Sequence, residues 1–232
     1  MPTNIVDIFC IAVLIISILY GMYRGFISGI LSLAGLIASI AGAFMLSPNL
    51  VSVLNKNETI VRTLKYYTDS ASRIGSIDLS MLSVSKVNTN TLSTILEKAN
   101  LPIGFRELFL KDMQTAVSTA SVSDVLSQSI VSASINILSF LICFLGCYIV
   151  ALFFIHMISY VFEFPVLRHL DSLVGGLFGF VRGYITLVVL FVLIPIVLTF
   201  APITQIQELV NASQLAPLFD TKLIFSILGL GG

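Results

Sequence analysis

The sequence predicts an all-α integral membrane protein. Four transmembrane helices form two parallel helix-hairpin repeats, with a small helical extracytoplasmic insertion between them. Three observations carry this prediction. First, 57% of the 232 residues are hydrophobic and only 10% are charged, with a mean hydropathy of +1.04; a soluble domain carries about a quarter charged residues. Second, several apolar runs are long enough to cross a hydrocarbon core of about 30 Å. Third, two short stretches resemble each other. Arg24-Gly25-Phe26-Ile27-Ser28 follows Gly21 and precedes Gly29, and Arg182-Gly183-Tyr184-Ile185-Thr186 follows Gly175 and Gly179. Glycines four apart share a helix face and allow another backbone to approach closely.

The first run covers residues 5–23. Nothing basic precedes it and no small-residue cleavage site follows, so it reads as a retained helix rather than a secretory signal. Asp7 sits just inside it. Arg24 and Gly25 interrupt the apolar pattern before a second run at 26–46. A single helix of the combined length would leave Arg24 at its centre, so a tight hairpin of two membrane helices is expected. Ser47-Pro48 is expected to end the second helix, because proline disfavours helical geometry in the residue before it.

Between residues 49 and 124 the composition changes, and 15 of the chain's 24 charged residues fall there. Helical spacing is visible at 59–72, 91–99 and 105–118, with a serine-rich loop at 75–90. This segment reads as the helical insertion outside the bilayer. From 125 to 162 no charged residue occurs. Its serine-rich start is expected to project into the aqueous domain, while 135–162 crosses the membrane. The fourth helix is expected at 172–200, with Asp171 and Ser172 as its N-cap and Pro195 as a kink. The resulting division is 1–48 first hairpin, 49–124 insertion, 125–202 second hairpin and 203–232 interfacial tail.

Basic residues in the short segments set the orientation. Arg24 lies between the first two helices, and Arg168 and Arg182 near the second turn, so both turns are expected in the cytoplasm. Both termini and the insertion are then expected outside the cell membrane.

Site chemistry is sparse. Cys143 and Cys147 share a helix face but have no His or Asp nearby, which argues against a metal site. His156 is read either as a proton relay or as an interhelical hydrogen-bonding group. His169 and Asp171 lack the strand–turn–helix setting of a hydrolase nucleophile. No catalytic, cofactor or metal residue is therefore assigned, and an enzyme is not expected. The balance of 12 basic and 12 acidic residues gives no field that would attract nucleic acid. The residues singled out for helix packing and interfaces are Gly21, Gly25, Gly29, Gly175, Gly179, Gly183, Arg24, Arg182, Asp171 and Asp7. Each arginine is expected either to snorkel to lipid phosphates or to pair with Asp171 and Glu163 and clamp the hairpins together. The expected partners are the lipid bilayer, further copies of the chain, or other membrane proteins.

These residues, in this order, resemble the colicin V production protein (CvpA) family. The resemblance begins at Val6-Asp7-Ile8 and continues through Tyr23-Arg24-Gly25-Phe26-Ile27 and Leu31-Ser32-Leu33. It returns at Leu170-Asp171, Gly175, Gly176, Gly179, Arg182 and Gly183, and again at Ser213-Gln214-Leu215-Ala216-Pro217. Ser172 departs from the basic residue many members carry there, and the 49–124 insertion is larger than in compact members. The resemblance implies a bacterial inner-membrane protein associated with toxin production or secretion and with envelope maintenance. Two activities stay open: a non-enzymatic scaffold, or a small oligomeric channel or transporter. Few ionisable residues in the helices favour the scaffold.

Overall fold

The structure is a computed structural model that describes residues 4–68, 80–99, 101, 103–117, 119–161, 168–200, 208–210, 212–219, 221 and 224. The described chain is helical: α1 (Ile5–Lys56), α2 (Glu58–Thr68), α3 (Thr89–Ala99), α4 (Ile103–Thr115), α5 (Val122–Val161), α6 (Arg168–Phe191) and α7 (Ile194–Phe200). Two short 3-10 turns cover Val84–Lys86 and Ala216–Leu218. The only pairing of strand type among the described residues is an isolated antiparallel bridge between Ser83 and Ser121.

Among the described residues, three helices are long and apolar enough to cross a membrane: Ile5–Lys56, Val122–Met157 and Ser172–Leu198. The first takes in both runs expected as separate helices. It is broken at Gly25, whose φ of 79° and ψ of −179° are not helical. That backbone region is essentially open to glycine alone. An interruption beside Arg24 was expected, and it occupies a single residue.

Two helix ends differ from expectation. α1 does not stop at Ser47-Pro48 but continues to Lys56 with Pro48 inside it. Proline has no N–H to offer the Phe44 carbonyl, and the Ser47 hydroxyl donates a long 3.5 Å bond to that carbonyl instead. α6 starts at Arg168, so Asp171 lies in its first turn rather than at the N-cap. The break expected at Pro195 falls just before it, at Val192 and Leu193, whose N–H groups donate to carbonyls three residues back. Proline removes the N–H that would continue the helix ladder there.

The chain forms two compact units. One comprises Met1–Ser47, Phe140–Leu193 and Ile203–Thr221. Within it, α1 before Gly25 runs antiparallel to α6: Leu14 meets Gly183, Ser17 meets Gly179, and Gly21 meets Gly175. Just after Gly25, Phe26 and Gly29 still meet Phe178 of α6, and from Gly35 onward the partner of α1 changes to α5, again antiparallel. Gly35 meets Ile155, Gly42 meets Cys147, and the Phe44 and Phe140 rings lie 4.8 Å apart. Large apolar side chains such as Ile16, Leu145, Phe153 and Leu177 point outward and are exposed. A hydrocarbon solvent removes the cost of such a surface.

The other unit comprises Pro48–Ser139, Ile194–Pro202 and Lys222–Gly232. Its core is built from Ile95, Phe105, Phe109, Leu126 and Ile130, all fully buried. α2 is capped by Asn57, whose side-chain oxygen accepts from the Thr59 N–H at 3.1 Å, and it packs against α7. Ser121 caps α5 reciprocally: its hydroxyl accepts from the Asp124 N–H at 3.2 Å and donates to the Asp124 carboxylate at 2.6 Å. The serine-rich start of α5 lies in this unit, where the Ser129 hydroxyl donates to Asp112 of α4 at 2.6 Å. In the insertion the three helices start one or two residues before the expected positions, α3 ends at Ala99 as expected, and α4 ends three residues early. Of the loop expected at 75–90, the part from 75 to 79 lies outside the described residues.

Candidate functional site

The glycines and arginines singled out from the sequence converge on the contact between the first part of α1 and α6. Small residues recur on α1 at Ser17, Gly21, Gly25 and Gly29, and the facing stripe on α6 is Gly175, Gly179 and Gly183. The approach is backbone to backbone. A methyl group added to Gly21 would meet the Gly175 carbonyl oxygen and lie 2.9 Å from the Gly179 Cα. One added to Gly175 would lie 3.0 Å from the Gly25 Cα, and one added to Gly183 would lie 2.8 Å from the Ser17 Cβ. One added to Gly29 would lie 3.1 Å from the Phe178 Cβ. The seam is also hydrogen bonded, because the buried Ser17 hydroxyl donates to the Gly179 carbonyl at 2.7 Å. Ser17 was missed in the sequence, although it extends the four-residue spacing by one turn.

Beside this seam, both arginines meet one aromatic ring. The Arg24 guanidinium carbon lies 5.1 Å from the Tyr20 ring centroid and that of Arg182 lies 4.8 Å from it. Helical side chains lean toward the N-terminus of their helix, which carries Arg24 back one turn over Tyr20 and Arg182 back along α6 toward the same place. Tyr20 was not singled out, yet its position four residues before Arg24 was the available signal. The structure therefore brings Arg24 and Arg182 together on the Tyr20 ring. Glu163 and the Asp171 side chain, the expected carboxylates, lie outside the described residues. The two similar stretches also differ in shape: Gly25 breaks its helix, while Gly183 continues within α6.

Asp7 explains the motif near the C-terminus. Its carboxylate accepts from the Ser213 hydroxyl at 2.5 Å, the Leu215 N–H at 3.1 Å and the Gln214 N–H at 3.4 Å. Ser213 in turn accepts from the Ala216 N–H at 3.0 Å, which holds the turn before Pro217. The Asn4 amide donates to the Leu209 carbonyl. Further along, the Tyr184 hydroxyl donates to the Leu218 carbonyl at 2.8 Å, and the Phe219 ring packs on Tyr184 and Phe191 with centroids 5.4 and 5.2 Å away. The segment around Ser213 to Phe219 is thus fastened to the start of α1 and to α6. The amphipathic helix expected at 221–228 lies almost wholly outside the described residues.

The remaining candidates do not join this site. His156 is exposed on α5 and makes no hydrogen bond with another described residue. Cys143 and Cys147 line an open apolar groove of about 630 Å³ with Ala38, Ser39 and Leu46, and the Cys147 sulfur packs on Gly42. Among the described residues no three of His, Cys, Asp and Glu come together as a metal site would require.

The colicin V production protein family matches this chain over residues 6–101 and 114–223. No curated protein and no solved structure matches it. The matched span takes in α1, the glycine seam, both arginines, Asp7 and the Ser213–Pro217 turn, which is most of the chain, so this transmembrane protein belongs to the colicin V production protein family.

Proposed function

We propose that the protein is a non-enzymatic membrane scaffold that supports toxin production or secretion and envelope maintenance. It works in the bacterial inner membrane, alone or as copies associated with other membrane proteins. The observation that carries this reading is the seam itself. Ser17, Gly21, Gly175 and Gly179 bring two backbones into contact, which leaves no side-chain-sized space for a conduction path between α1 and α6. Purified protein in liposomes should give no ion or solute flux above that of empty liposomes. Robust, selective flux would overturn the scaffold and favour the oligomeric channel.

The proposed scaffold has four spans near 5–23, 26–46, 135–162 and 172–200. Parity supports the count. Asp7 at the start of α1 bonds Ser213 beyond α6, so both belong at one membrane face. That requires an even number of crossings between them. α5 and α6 supply two, and α1 must then cross twice or not at all. Its 52 residues amount to about 78 Å of helix, enough for two crossings at about 1.5 Å per residue. The change of partner soon after Gly25, from α6 up to Gly29 to α5 from Gly35, is consistent with a hairpin at Gly25.

A further inference from the structure

We propose that Arg24 and Arg182 together hold one phosphate group, that of an anionic lipid headgroup, on the platform of the Tyr20 ring. The starting point is a placement that is unfavourable without an anion. Both guanidinium groups lie on one ring, so their central carbons are no more than about 10 Å apart. Arginine stays charged, and two like charges beside a membrane interior repel with little screening.

The helices that carry them offer little to offset this charge. From residue 8 to residue 57 there is no Asp or Glu, and none from 172 to 207. Asp7 is seventeen residues before Arg24 and is occupied by the Ser213 turn. Asp171 lies eleven residues before Arg182 on α6. Neither arginine makes a hydrogen bond or ion pair with another described residue. A guanidinium lying over a ring uses its face, while its N–H groups radiate from its edges. Up to ten donors on two forks are left for a ligand. A phosphate with a charge-assisted hydrogen bond of about 2.8 Å on each side fills most of the gap between them.

The surroundings point to a lipid as the source. Tyr20 is 40% exposed and Tyr23, one turn away, is 90% exposed. In a chain without tryptophan, tyrosine is the residue that marks headgroup depth. Both arginines are half-buried, so a headgroup reaches them from the lipid side without entering the glycine seam.

The test uses the full chain in maltoside micelles, which carry no phosphate. Short-chain phosphatidylglycerol, short-chain diacylglycerol and inorganic phosphate are titrated separately, and binding is read by native mass spectrometry and thermal shift. Phosphatidylglycerol should bind and protect, while diacylglycerol should not. Equal protection by inorganic phosphate would overturn the lipid as the source. R24Q/R182Q should weaken phosphatidylglycerol binding about tenfold or more, the scale of a lost charge-assisted hydrogen bond. Unchanged binding in that folded variant would overturn the site. R24K/R182K keeps both charges and gives a second reading should the glutamine pair fail to fold. Loss of binding there supports the forked site; retention within about twofold would reduce it to general attraction and overturn it.

Discussion

Single residues decide how closely α1 and α6 approach, and the consequences differ sharply between glycines. At Gly179 an added methyl group would run into the Ser17 carbonyl oxygen, whereas at Gly146 nothing lies within 4 Å. Gly179→Ala should therefore destabilise the protein by about 1–3 kcal/mol, the cost of overpacking a tight contact. Gly146→Ala should be neutral within about 0.5 kcal/mol. Denaturation in detergent micelles compares the two directly. Asp7 is a second such point, because one carboxylate holds the Ser213 hydroxyl and two backbone N–H groups. Asp7→Ala should remove the acceptor of all three donors and loosen the turn. Limited proteolysis should then cut the 208–219 segment at least about tenfold faster, while an unchanged rate would show that the tail is held by Tyr184 and Phe219 alone. The glycine spacing and the arginines were legible in the sequence because each is a local pattern. That Asp7 and Ser213 meet was not, since they are 206 positions apart and either could have served another partner.

Among the elements, interruptions were legible in kind and less so in position. Arg24-Gly25 announced a break in α1, because a charge and a glycine sit between two apolar runs. Ser47-Pro48 announced an end that does not occur, since a helix carries one missing N–H when a neighbouring hydroxyl reaches the freed carbonyl. Local rules for proline describe the isolated chain, and packing overrides them. Gly25 is different, because its φ of 79° is a backbone requirement that packing cannot waive. Gly25→Ala should cost about 1–3 kcal/mol through strain alone. A methyl at Gly183, which has ordinary helical geometry, comes within 2.8 Å of the Ser17 Cβ, so it asks for a small shift of Ser17 but for no left-handed backbone. The expected order of stability is therefore wild type, then Gly183→Ala, then Gly25→Ala. Thermal unfolding of the three proteins in one detergent checks it, and the reverse order would remove the special role given to the break.

For the whole molecule, the proposed four-span arrangement ties three separate facts together. α1 runs antiparallel first to α6 and then to α5, its two parts are separated by a glycine-only conformation, and its start is bonded to a segment beyond α6. Parity makes the ends share a face but does not choose which one. That choice comes from charge. Arg24 and Arg168 belong to the short turns and the stretch before Arg24 has no basic residue, so the proposed arrangement has the turns in the cytoplasm. The insertion, which enters by α1 and leaves by α5, is then outside. Asn88 reports its position well, being exposed at the N-terminal edge of α3 in the second unit. With Cys10, Cys143 and Cys147 replaced by alanine, Asn88→Cys should react with a membrane-impermeant maleimide in intact cells whose outer barrier has been opened. A cysteine at Tyr23, exposed beside the Gly25 break, should react only once the inner membrane is permeabilised. Labelling in the opposite order would invert the orientation while leaving the span count intact. Labelling of both sites from outside would remove the double crossing of α1, because a single bilayer-spanning segment would no longer separate Tyr23 from the insertion.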